Sequence, residues 1–362
     1  MATNNTMNKL IFTLKALSDN ATIRATQGSL ILVLDDKNVS GIHTYKKLKK
    51  VTENFETENK AYISSAFSDY GVKKVIVVSG HSSETGITSS LDTILASMNK
   101  VCENAWVVAP QLTSETDKKK FCDFIKTQRS DENYPLKAVV YNYKAESEAI
   151  VNFTSTDLGI NDTTSDQYCV DVACVLCTLS ANESITAHVA KKVTSCDIKS
   201  DNDECVANGE LFLYNDGTNI VFSRGVNSLT VIPSDQNDYL TKIRVIEVLD
   251  LIKTDLSLSF KENNIGRYGN SYSNRKSLVN VVNSYLRSMS KQGYLNNDTD
   301  SYCELDVEAT RNYLESVKLE NTDDMTDDEV LKAPIDSHVF LKITLYVMEI
   351  VEDISLNLYY TE

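Results

Sequence analysis

Ser29-Leu30-Ile31-Leu32-Val33-Leu34 runs without a polar break into Asp35-Asp36. A strand with one wet face alternates apolar and polar residues. This one does not, so both of its faces are expected to be covered, as in a parallel sheet clad by helices. The sequence on its C-terminal side fits that reading. Lys60–Asp69 reads as a helix, Lys74–Val78 as a strand, Leu91–Val101 as a helix and Ala105–Ala109, with the single tryptophan Trp106, as a strand. Thr116–Arg129 is a helix with Phe121, Phe124 and Ile125 on one side, and Lys137–Tyr141 is a strand. Strands alternating with helices give an α/β unit over residues 29–142. Ala149–Phe153 adds a further strand, and Tyr168–Leu179 is an apolar helix.

The second half has a different pattern. Residues 196–210 are polar and acidic and are expected to form a surface loop. Glu210–Tyr214 and Asn219–Ser223 flank Asn215-Asp216-Gly217-Thr218, a hairpin signal, since Asn, Asp and Gly tolerate the positive φ of tight turns. Val245, Leu249, Ile252 and Leu256 recur at helical spacing. A second helix carries Leu278, Val281, Val282, Tyr285, Leu286 and Met289 in one stripe, with Ser273 or Asn274 as its expected cap. Ile265–Asn270 is the turn between them. Asn321–Asp328 is acidic and reads as a solvated loop or a helix start. Two alternating strands close the chain, Leu341–Val347 and Ile354–Tyr360, and the alternation breaks at Glu352-Asp353.

Composition narrows the function classes. A net charge of -15 over 362 residues opposes nucleic acid and anionic membrane. Met1–Met7 is polar and does not read as a signal peptide. No apolar run reaches the ~18–20 residues of a membrane span. Synthesis in the cytoplasm, no direct nucleic-acid contact and no stable membrane insertion are therefore expected.

No catalytic, cofactor or metal constellation stands out. The most enzyme-like stretch is Ser79-Gly80-His81-Ser82-Ser83-Glu84-Thr85-Gly86, after a strand of the α/β unit, where ligands often bind. It lacks the lysine of a phosphate loop and the GxGxxG spacing. Two readings stand: a plain strand-to-helix loop, or an anion site with His81 as a base. His43, His188 and His338 fall in no metal motif. Among the eight cysteines, Cys174 and Cys177 form a CxxC inside an apolar run, which favours buried thiols over redox or zinc chemistry. Asp250 and Asp255 are expected on a solvated helix face. Lys46–Lys50, with four lysines in five residues, is expected to be salt-bridged surface.

Extended segments at both chain ends remain unexplained by chemistry. Leu10, Phe12 and Leu14 alternate with Ile11, Thr13 and Lys15, and Ile354, Leu356, Leu358 and Tyr360 with Ser355, Asn357 and Tyr359. A one-faced apolar strand must join a sheet. Either it folds back on its own subunit, or it adds to a neighbour's sheet, and repeated head-to-tail addition builds fibres or tubes.

The second half resembles the contractile tail sheath family of phages and phage-tail-like bacteriocins. The resemblance lies in Asn208-Gly209-Glu210-Leu211, the hairpin, and Arg224-Gly225-Val226-Asn227-Ser228-Leu229. It continues through Ile243–Asp250, Ile265-Gly266, Asn270 and Lys291–Leu295, and returns at Ile343–Val351 and Ile354–Tyr360. The Arg-Pro-Gly-Val-Tyr opening of many relatives is missing. The resemblance implies a structural subunit, not an enzyme, that polymerises around an inner tube and contracts to drive it through a cell envelope. It implies as partners the chain itself, the inner tail tube protein, and baseplate and tail terminator proteins, with assembly in a virion tail or a released tail-like particle.

The expected fold is mixed α/β: a parallel-sheet unit, a C-terminal α+β domain and extended terminal arms. The expected division is 1–28 as N-terminal arm and first strand, 29–208 as α/β domain, 209–351 as C-terminal core domain and 352–362 as C-terminal arm strand. Leu10, Phe12, Leu14, Ile354, Leu356, Leu358 and Tyr360 are the candidate inter-subunit residues.

Overall fold

The computed structural model describes residues 28–81, 86–101, 103–160, 163–180, 182–232, 238–317 and 322–359. Strand β1 (Ser29–Asp35) lies between β3 (Lys74–Gly80) and β4 (Ala105–Val108), parallel to both. The full order is β2-β3-β1-β4-β5-β6-β7, with β2 (Gly41–Tyr45), β5 (Leu136–Tyr141), β6 (Ile150–Phe153) and β7 (Glu210–Leu211). All neighbours are parallel except β2, which pairs antiparallel with β3.

The unbroken apolar sequence of β1 has the expected cause. Leu30, Leu32 and Leu34 face α1 (Thr57–Ser68) and α4 (Cys169–Thr178), while Ile31 and Val33 face α2 (Ile87–Met98) and α3 (Glu115–Ser130). Residues 29–34 are all buried. Two helices thus cover each face of the sheet, and both cores are continuous with the helix stripes that the sequence predicts. Cys174 and Cys177 are buried in α4, and burial raises both thiols, opposite to the lowering that a reactive cysteine needs.

The segment 196–210 is not all loop. Asp201 accepts from the N–H groups of Asp203 (2.9 Å) and Glu204 (3.0 Å) and caps a short helix, α5 (Asn202–Ala207). Gly209 follows at φ 74°, and a Cβ there would lie 2.7 Å from the Asn227 carbonyl oxygen, so only glycine fits. The expected hairpin divides. Glu210–Leu211 joins the main sheet beside β6, and β8 (Leu213–Asn215) pairs with β9 (Ile220–Phe222) around a turn. Asp216 stabilises that turn by accepting from Thr218 and Asn219 N–H, both at 2.7 Å.

By contacts the described residues form two units, 28–250 with 350–359, and 251–349. The boundary falls inside α6 (Ile243–Asn263), not at the expected 208/209, because β7–β9 and the start of α6 pack with the sheet. In the second unit Val282, Tyr285, Leu286 and Met289 of α7 (Tyr272–Lys291) are buried as their spacing predicts. The cap is Ser271, which accepts from Asn274 N–H, and not Ser273 or Asn274, because the helix begins earlier than the apolar stripe. Strand β10 (Tyr302–Leu305) pairs antiparallel with β11 (Leu341–Thr344), and a single bridge joins Leu295 to Val347. A small core of Leu314, Val330, Ala333 and Ile335 joins α8 (Val307–Ser316) to α9 (Asp327–Lys332). Thr326 and Glu329 form a capping box at α9, so the acidic stretch ends as a helix start.

The expected solvated face of Asp250 and Asp255 is corrected. They are 2% and 1% exposed. Asp255 accepts from Tyr285 Oη at 3.1 Å within the second unit. In the sheet unit Asp250 accepts a forked bond from Arg129 (2.8 and 3.1 Å) and lies 3.3 Å from Lys137 Nζ. Charged residues at helical spacing, seen without their partners, look the same whether they face water or an internal cation.

Candidate functional site at the root of the C-terminal arm

After β9 the chain runs extended through Arg224–Ser228, the block that carries the family resemblance, and every residue in it has a structural task. Gly225 donates its N–H to Thr186 Oγ1 at 2.9 Å, and a Cβ on Gly225 would meet the Ile185 side chain at 3.0 Å. Asn227 is fully buried. Its N–H donates to Thr241 O (2.8 Å), its Nδ2 to Leu240 O (2.7 Å), and its Oδ1 accepts from Leu229 N–H (3.0 Å). Ser228 N–H donates to Ile150 O at 2.8 Å and its hydroxyl to Ser147 O at 3.1 Å. The block therefore stitches the entry of α6 to the β5–β6 corner. Asn227→Ala is expected to cost about 1–3 kcal/mol, because it strands buried carbonyl and N–H groups. A thermal melt of the full chain checks this, and an unchanged midpoint would contradict the buried network.

Arg224 faces the other way, toward the chain end. Its Nε lies 3.6 Å from Glu352 Oε2, and its Nη2 is hydrogen-bonded to Asp353. Those carboxylates, Asp353 first, keep the guanidinium pKa above its ordinary value. Glu352 is the better held of the two. Its Oε1 accepts from Ser184 Oγ (2.9 Å) and Thr186 Oγ1 (2.6 Å). Thr186 thus ties the arm root and the Gly225 backbone together. The break in alternation at Glu352-Asp353 is where the chain end is fastened to the sheet unit.

Beyond that clamp no strand forms among the described residues. Ile354 is 76% exposed, Leu356 79%, Leu358 92% and Tyr359 91%. Isolated exposed apolar residues are normal, but a contiguous alternating set is not. Leu10, Phe12, Leu14 and Tyr360 lie outside the described residues. The sequence singled out the apolar arm residues but missed their clamp. Its signal was Arg224 beside Gly225, matched by the acidic pair that interrupts the last strand.

The other candidates do not assemble into a site. Ser79 is buried at the end of β3, His81 is exposed, and residues 82–85 lie outside the described set. Gly80 packs against Ile94 and Ser90 of α2, which is the work of a strand-to-helix corner. Among the described residues no three His, Cys, Asp or Glu side chains are grouped to hold a metal. No described helix is long and apolar enough to cross a membrane.

Residues 235–347 match the phage tail sheath C-terminal domain. The chain is 28% identical to the tail sheath protein of Clostridium phage phiCD119 over 95% of its own length and 96% of that protein. Its C-terminal part is a phage tail sheath domain, and the whole chain resembles a tail sheath protein. The folds agree: the crystal structure of the sheath tail protein of Listeria innocua superposes with a TM-score of 0.67 at 14% identity, over 91% of this chain and 98% of that one. The contracted helical sheath of the anti-feeding prophage, solved by cryo-electron microscopy, gives 0.66 at 11% identity over 100% of both chains. The sheath protein described here is accordingly a structural subunit with the mixed α/β fold of its family, and the enzymatic reading of Ser79–Gly86 has no support.

Proposed function

We propose that this sheath protein polymerises around an inner tail tube, through strand exchange by its chain ends, and contracts to drive the tube through a target envelope. The exposed alternating face of Ile354–Tyr359 behind a fixed root carries the reading. A strand presenting apolar side chains on one edge, with its backbone groups unpaired, gains hydrogen bonds and burial by joining another copy's sheet. The arm root stays fastened to its own sheet unit, so the link survives while rigid bodies rotate. Leu10, Phe12 and Leu14 are proposed to make the second link. Baseplate and terminator proteins are the proposed partners at the two ends of the polymer. The proposed setting is a virion tail or a released tail-like particle, with the subunit made in the bacterial host cytoplasm.

Electron microscopy of the purified full chain, alone and with its cognate tube protein, is expected to show tubes of uniform diameter. A monomer that persists at high concentration in both samples would overturn the reading.

A further inference from the structure

The seven-stranded sheet is electrically lopsided. At one edge β2 leads directly into Lys46, Lys47, Lys49 and Lys50, all four exposed, around a short 3₁₀ turn at Leu48–Lys50. The sequence predicts that these lysines are salt-bridged surface. Among the described residues none of the four is in an ion pair: the nearby Glu56 pairs with Lys37, and Glu53 with His43 and Tyr45. Ile42 and Leu48, each 37% exposed, add apolar surface beside them. At the other edge α5 leads through Gly209 into β7, and it presents Asp201, Asp203 and Glu204, all exposed. Six strand spacings separate the two edges, roughly 29 Å.

We infer that the Lys46–Lys50 edge docks onto the acidic α5 edge of a second copy of this chain. The two patches are different surfaces, so the contact is head-to-tail and can repeat from copy to copy, as a polymer requires. Charge complementarity selects the occupant. The chain carries a net charge of -15, so copies repel one another generally, and the concentrated cationic edge is where that repulsion reverses. This contact uses neither terminal arm. It sets which lateral faces meet, while the arms supply linkage. The inference rests on the polymerisation proposed above.

The test uses full chains at about 0.1 M ionic strength, where surface charges act over about 10 Å, with the critical concentration for tubes read by sedimentation and microscopy. K46E/K47E/K49E/K50E is expected to raise it roughly tenfold, as several exposed pairs turned repulsive should. D203K/E204K is expected to raise it similarly, although it makes the chain less negative and would otherwise ease self-repulsion. Combining both sets in one chain swaps the edges and is expected to restore assembly. Each variant's circular dichroism should match wild type, since all six side chains are exposed. Reversals that assemble at the wild-type concentration, or a swap that fails to rescue, would overturn the edge contact alone. Wild-type protein that never forms tubes would overturn the polymerisation reading and this inference with it.

Discussion

Removing residues 354–362 is expected to leave a folded protein that no longer forms tubes. The cut falls after the clamp, so Glu352 keeps Ser184 and Thr186, and Arg224 keeps both carboxylates. Ile354, Leu356 and Leu358 give up almost nothing in the monomer, because each is at least 76% exposed. The melting midpoint should therefore stay within about 1 °C of wild type, as for surface changes generally. Assembly should respond differently. Burying three aliphatic side chains in a neighbour is worth about 1.5–3 kcal/mol each, and each backbone hydrogen bond adds about 0.5–1.5 kcal/mol. Losing the whole set from each subunit raises the critical concentration by about a thousandfold or more, which no practical concentration recovers. Sedimentation and microscopy of the truncated chain measure this. Normal tubes at the wild-type concentration would show that the arm is not the link. A cut before Glu352 is less informative, since it also releases Ser184, Thr186 and Arg224.

What the sequence made legible, and what it hid, follows from the range of the interactions. The buried β1 run and the helices around it were readable because a parallel strand is apolar on both faces, a local property. The stripe of α7 was readable for the same reason. The last-strand segment was readable as a one-faced strand, but its fate was not. Whether Leu356 meets its own sheet or another copy's depends on contacts that no periodicity records. The clamp was hidden because Arg224 and Glu352 are far apart in sequence, and an acidic pair at a strand break looks like solvated surface. The same blindness affects the helix charges. Asp250 sits among other charged residues and its cations lie on α3 and β5, so only the fold brings them together. The lysines of 46–50 show the converse error: a cluster read as salt-bridged surface, whose nearby acids the geometry gives to other partners.

Asp250→Ala is expected to be the most destabilising single change in the sheet unit. Asp250 bridges the Arg129 fork and Lys137, whose side chain is 1% exposed. Lys137 is further held by Asn104 at 2.5 Å, by Glu247 at 3.4 Å and over the Trp106 ring at 5.5 Å. Removing the carboxylate leaves two buried cations with Glu148 and Glu247 as their remaining anions. Breaking a buried pair in this way costs about 3–5 kcal/mol, or roughly 10 °C in melting midpoint for a unit of this size. The pH dependence separates this from simple loss of packing. Burial opposes the Asp250 charge, but Lys137 and Arg129 outweigh it and hold its pKa below the ordinary value. Its contribution is therefore fully present above the unfolded pKa of about 3.9 and lost as pH falls through the lower folded value. Glu247 acts in the opposite sense: burial raises its pKa despite Lys137, so keeping it ionised costs stability at neutral pH, and that cost fades as the solution is acidified. The gap between wild type and Asp250→Ala should accordingly be wide at pH 7, remain so at pH 5 and close toward pH 3. Melts across that range measure it. A gap that is small at neutral pH, or independent of pH, would mean that water and not Asp250 balances the two cations. Replacing Arg129, Lys137, Asp250 and Glu247 together with apolar residues of similar volume should recover much of the loss, because the buried cations and the carboxylates that pair with them are then removed together. The cluster's role is then to fix the first two turns of α6 against the sheet, beside the Asn227 network that fastens the entry to the same helix.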